Sequence, residues 1–126
     1  MQIQPRDEFE RAAFAHLESL GRLRPGWDSY RAPVPSQSAT ANARAFLMVL
    51  LDAGLPPPMI DASVVGGIAI TLRQGSRKGV VEFYNDGAAV LLLADDATEE
   101  LSTRDLSTTP AAFAEAARQI HAYVKD

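Results

Sequence analysis

The residues best suited by type to do chemistry stand together in the stretch Arg24-Pro25-Gly26-Trp27-Asp28-Ser29-Tyr30-Arg31, which holds the chain's only tryptophan and one of its three tyrosines. Indole, phenol and guanidinium groups are the ones most enriched where proteins grip partners, and Asp28 adds a carboxylate that accepts hydrogen bonds. Arg24, Trp27, Asp28, Tyr30 and Arg31 therefore form a candidate partner-binding set. The same residues have a structural reading. Asp28 can accept from the amides that follow it and fix a turn, while Trp27 fills a hollow between two helices and a sheet. A lone tryptophan in a small domain favours this anchor role, and loss of such a ring costs roughly 3–5 kcal/mol.

Other reactive side chains are scattered. His16 and His121 stand alone on separate predicted helices, without a His-Glu-x-x-His pairing. No Gly-x-Ser-x-Gly elbow occurs, and the basic loop at 74–79, QGSRKG, joins two strands instead of opening a helix as a phosphate-binding loop does. Asp95, Asp96, Glu99, Glu100 and Asp105 make an acidic run, but it lacks the alternating register, central glycine and closing glutamate of a calcium loop. Its expected state is a solvated connection, with an acidic dock for a basic partner as the alternative. The chain contains no cysteine, which removes thiol nucleophiles, thiolate metal sites and disulfides together. Neither a cofactor nor an enzymatic activity is expected. An enzyme here would have to assemble its site in three dimensions from Asp28, Tyr30 and one of the histidines.

These residues must be positioned by a chain of 126 residues, which suits one domain with one core. Its 47% hydrophobic and 22% charged content are ordinary for a globular protein. Twelve Lys plus Arg against sixteen Asp plus Glu leave a net charge of -4, which argues against a nucleic-acid partner. The exception would be a fold that gathers Arg22, Arg24, Arg31, Arg73, Arg77 and Lys78 on one face. The opening MQIQPRDEFE lacks the pattern of a secretory signal, and the longest apolar run, AFLMVLL at 45–51, falls far short of the ~20 residues that cross a bilayer. A cytoplasmic protein without membrane contact is expected.

Periodicity predicts the elements. Asp7 with Glu10 has the form of a capping box, and Phe9, Ala13, Leu17 and Leu20 follow at helical spacing, giving a helix over 8–20 that Gly21 closes. Ser36 caps a second helix whose face carries Ala39, Ala43, Phe46, Leu50 and Ala53, ended by Gly54 and Pro56 to Pro58. Leu47, Met48 and Leu51 widen that face, so this helix is central or meets a partner. The period then shifts to two. Two short strands flank a Gly66-Gly67 turn, a third runs over 80–85, and Asn85-Asp86-Gly87 turns into a fourth at 88–94 that is apolar on both faces. Such a strand lies between layers or under an interface. Thr109-Pro110 begins a last helix with Phe113, Ala116, Ala117, Ile120 and Val124 inward.

From Gly26 to Ala32, followed by Pro33, Ser36, Ala39, Ala43 and Phe46-Leu47, the chain resembles a group of small, mostly uncharacterised bacterial proteins with a Gly-Trp-Asp-Gly-Tyr-Gly-Ala pattern. Ser29 and Arg31 stand where that pattern has glycines, and Thr71-Leu72 where it has a Glu-Trp pair. The resemblance spans roughly residues 22 to 93 and carries no established reaction. The expectation is a single α+β domain over 1–126: two N-terminal helices, a four-stranded antiparallel meander and a C-terminal helix on the sheet. The expected function is a non-enzymatic protein-binding module, an accessory, inhibitor or antitoxin-like protein, whose partner is another protein or a second copy of itself.

Overall fold

The computed structural model describes residues 5–28 and 32–125, with side chains from residue 8 onward. It is an α+β fold of three helices on one five-stranded antiparallel sheet. The elements in chain order are α1 (Pro5–Leu20), α2 (Gln37–Asp52), β1 (Met59–Ala62), β2 (Gly67–Gln74), β3 (Arg77–Tyr84), β4 (Ala89–Asp95), β5 (Glu100–Leu106) and α3 (Pro110–Lys125). The strands lie in sequence order, β1 to β5, each antiparallel to the next.

The expected four strands are thus corrected to five. The segment read as a solvated acidic connection pairs with β4 from Ala89↔Leu106 to Asp95↔Glu100. Its side chains are exposed except Leu106, because β5 is an edge strand held mainly by backbone hydrogen bonds. Helix α1 also starts earlier than expected, at Pro5, where proline's missing N–H costs nothing, so Asp7 lies inside the first turn.

Helix α2 follows its predicted signals. The Ser36 hydroxyl accepts from the Ala39 amide at 3.1 Å. At the other end Gly54, with φ +75°, donates to Leu51 O and Leu55 donates to Leu50 O, which closes the helix in a Schellman motif. Most of its apolar surplus is absorbed inside the molecule: Leu47, Leu50 and Leu51 are buried, and α2 packs against α1, α3, β2 and β3, while Met48 stays 44% exposed.

The core lies between the helices and one face of the sheet. Ile68, Ile70 and Leu72 of β2, Val81 and Phe83 of β3, and Ala89 and Leu91 of β4 supply the sheet side. Phe46, Phe83 and Phe113, from α2, β3 and α3, form a triangle with ring centroids 5.6–5.8 Å apart. At Gly79 any Cβ would lie 2.6 Å from Ile120 Cγ2, so this glycine lets α3 approach the sheet closely. Asp95, the only buried charged residue among those described, accepts from Arg77 Nε at 3.1 Å and from the Ala97 amide at 2.9 Å. A hydrogen bond from Ser76, with those two, holds its carboxyl below the usual carboxylate range.

Candidate functional site

The loop that joins α1 to α2 folds onto itself. Gly26, with φ +76°, donates its amide to Ala32 O at 3.1 Å, the Ala32 amide donates back to Asp28 Oδ1 at 3.2 Å, and Trp27 Nε1 donates to Pro33 O at 3.0 Å. Asp28 thus performs the turn-fixing role expected of it. Trp27 does not fill the expected hollow. Its ring is half-buried and lies outside the core, because the Phe46, Phe83 and Phe113 triangle occupies the space between helices and sheet. It latches its own loop. Trp27→Ala should therefore cost about 1–2 kcal/mol, well below the value for a buried ring, as read from a urea midpoint. A loss of the full buried-ring size would refute the latch assignment.

Arg24 is exposed beside this loop, while Tyr30 and Arg31 lie outside the described residues. His16, on α1, donates its Nε2–H to Ile60 O at 2.7 Å and ties the helix to edge strand β1. His121 is exposed on α3, beside a groove of about 280 Å³ against α2. The acidic run is largely engaged within the molecule: Asp96 pairs with Arg73 at 2.9 Å, and Glu100 accepts from the Tyr123 hydroxyl at 3.1 Å. Among the described residues no group of three or more His, Asp or Glu side chains is placed to hold a metal. The basic residues are not gathered. Arg77 lies on the helix side, stacked over Tyr123 and bonded to Asp95, whereas Arg73 and Lys78 sit on the opposite face of the sheet.

That opposite face is the feature sequence reading only half anticipated. The two faces alternate along each strand, and every sheet residue of the core cluster belongs to the helix-covered set. Val80 and Ala94 are nonetheless buried, each 8% exposed, and stand outside that cluster. Their shielding comes from neighbours on the uncovered face. The cross-strand register arranges this face in three rows. A central row runs Met59, Thr71, Val80, Leu92, Thr103. On one side lie Arg73, Lys78, Ala94 and Leu101, and on the other Asp61, Ala69, Glu82, Val90 and Asp105. Met59 and Leu101 are 62% and 63% exposed at its two margins. An apolar centre is therefore flanked on one side by the carboxylates of Asp61, Glu82 and Asp105, and on the other by a mixed margin, where Asp96 pairs with Arg73 and a cleft of about 290 Å³ brings Lys78 together with Asp96, Glu99 and Glu100.

The acidic edge is held in place. The Tyr84 hydroxyl donates to Glu82 Oε2 at 2.5 Å. This hydrogen bond, with partial burial, pushes the phenol up to about 12. Among the described residues no helix is long and apolar enough to cross a membrane. Comparison with protein-family models, curated proteins and solved structures finds no match to this chain.

Proposed function

We propose that this chain is a non-enzymatic protein-interaction module, of the accessory, inhibitor or antitoxin-like kind, that docks another polypeptide on the uncovered face of its sheet. The observation that carries this reading is β4. Apart from Met48, the apolar surplus of α2 is taken up within the molecule, but among the described residues Val90, Leu92 and Ala94 have no helix over them. Antiparallel sheets do expose one face to water, and such a face is then usually polar; here its middle is valine, leucine and alanine. Trp27 and Asp28 support the same reading from the other direction, since their side chains bond Pro33 O and the Ala32 amide within their own loop.

The test places a photo-crosslinking amino acid at position 92, or at position 121 on the helical side, in the chain expressed in its native host. Irradiation should give covalent adducts to a polypeptide from position 92 and few from position 121. If position 92 yields none, the sheet face is not a docking surface and the proposal fails.

A further inference from the structure

We infer that the polypeptide seated on this face is a cationic amphipathic helix, with apolar side chains over Val80, Val90 and Leu92 and lysines or arginines over the row of Asp61, Glu82 and Asp105. This rests on the interaction-module reading and adds the chemistry of its partner. The argument is one of charge complementarity. The register sets those three carboxylates on β1, β3 and β5, with Ala69 and Val90 between them. None of the three has an ion pair among the described residues; Asp61 and Asp105 are exposed, and Glu82 is oriented by the Tyr84 hydroxyl. The other margin is neutralised from within: Asp96 pairs with Arg73 at 2.9 Å, and Lys78 lies in a cleft with Asp96, Glu99 and Glu100. The uncompensated charge of the face is therefore negative and lies along one line beside the apolar centre.

Such a line repels phosphate, so it disfavours nucleic acid and anionic lipid and attracts cations. The form of the partner follows from the backbone. The main-chain groups of β2, β3 and β4 are committed to their ladders, so the face offers side chains alone. An extended segment laid across it would bury amides without partners, whereas a helix satisfies its own. From β1 to β5 the row spans four strand intervals of ~4.8 Å, about 19 Å, and a helix of about 13 residues is long enough to reach all three carboxylates.

The probe is a dye-labelled amphipathic helical peptide of about 14 leucines and lysines, with a twin that carries glutamate for each lysine. Fluorescence anisotropy with the intact chain should show binding of the lysine peptide that weakens as salt rises, and no binding of the glutamate twin. Asp61→Asn with Asp105→Asn should weaken that binding about tenfold, and Glu82→Gln, which keeps an acceptor for Tyr84, about threefold. Glu8→Gln with Asp52→Asn removes the same charge from exposed positions of the helical layer and should change it by less than about twofold. Circular dichroism melts keep folding and binding apart, since each variant should melt as a folded domain. A lysine peptide that fails to bind overturns the cationic partner, and so does an equal loss in the two double variants. The crosslinks at position 92 separate this failure from that of the module reading. Adducts to an acidic segment or to a second copy of this chain leave the docking face standing and remove only the cationic helix, whereas no adducts at all remove both.

Discussion

Replacing Gly67 with alanine is expected to cost about 4 kcal/mol or more, a large share of the roughly 5–15 kcal/mol that holds a domain of this size together. Gly67 opens β2 with φ +134°, a conformation that side-chain-bearing residues rarely adopt. A Cβ there would lie 2.0 Å from Phe83 O and 2.9 Å from Phe83 C, both main-chain atoms of the paired strand. Main chain inside a ladder cannot rotate away as a side chain can, so β2 and β3 would have to part at the end that carries Phe83 of the aromatic triangle. Gly75→Ala is the comparator. Gly75 has φ +61° with nothing within 4 Å of the added carbon, so its cost should be confined to backbone strain, about 1 kcal/mol. Urea unfolding followed by circular dichroism ranks the two, and equal midpoints would dismiss the close approach as the cause.

The second large effect is predicted at Asn85. Its side chain accepts from the Ser36 amide at 2.7 Å and donates to Val34 O at 3.0 Å, while its own carbonyl accepts from the Ser36 hydroxyl at 3.1 Å. One amide group thus pins the proline-rich strap, residues 33–36, across the end of the β2–β3 pair and sets the start of α2. Asn85→Ala leaves a donor and an acceptor in a partly buried place without partners, for a loss of about 2–4 kcal/mol. Asn85→Asp keeps the acceptor for Ser36 and loses the donor to Val34, so it should recover part of that loss. Faster amide exchange at Ser36 and Ala39 is the local signature. If Asn85→Ala melts with the parent, the strap is held by other means.

Much of the fold was legible because local chemistry and tertiary need agree. Ser36, Gly54 and the prolines after it act within their own turns, and Phe46 and Phe113 repeat on their helices at the spacing that must be buried. The misreadings have a common origin. Asn85 lies in a turn and was legible as a turn former, but its side chain acts on residues 49 and 51 positions earlier. Strand β5 has one buried side chain, so no apolar alternation announces it; its pairing is supplied by the β4 backbone. Trp27 is the clearest case. A lone tryptophan signals a large ring in need of a place, yet whether a hollow is left for it depends on how three phenylalanines from distant elements fill the centre.

For the uncovered face of the sheet, the sequence by itself determined that β4 carries apolar residues on both sides and that helix α2 is apolar over more than one stripe. Only the tertiary structure decided which excess is consumed. A period-two pattern records that side chains alternate between two faces but not which face a helix will cover, and a helical stripe does not record how many neighbours it will meet. The folded chain packs against most of the apolar surface of α2, Met48 excepted, and among the described residues sets no helix on the other side of the sheet. It also gathers Asp61, Glu82 and Asp105, from three different strands, into one row of that surface. That alignment comes from cross-strand register, and register is a relation between segments that no single segment encodes.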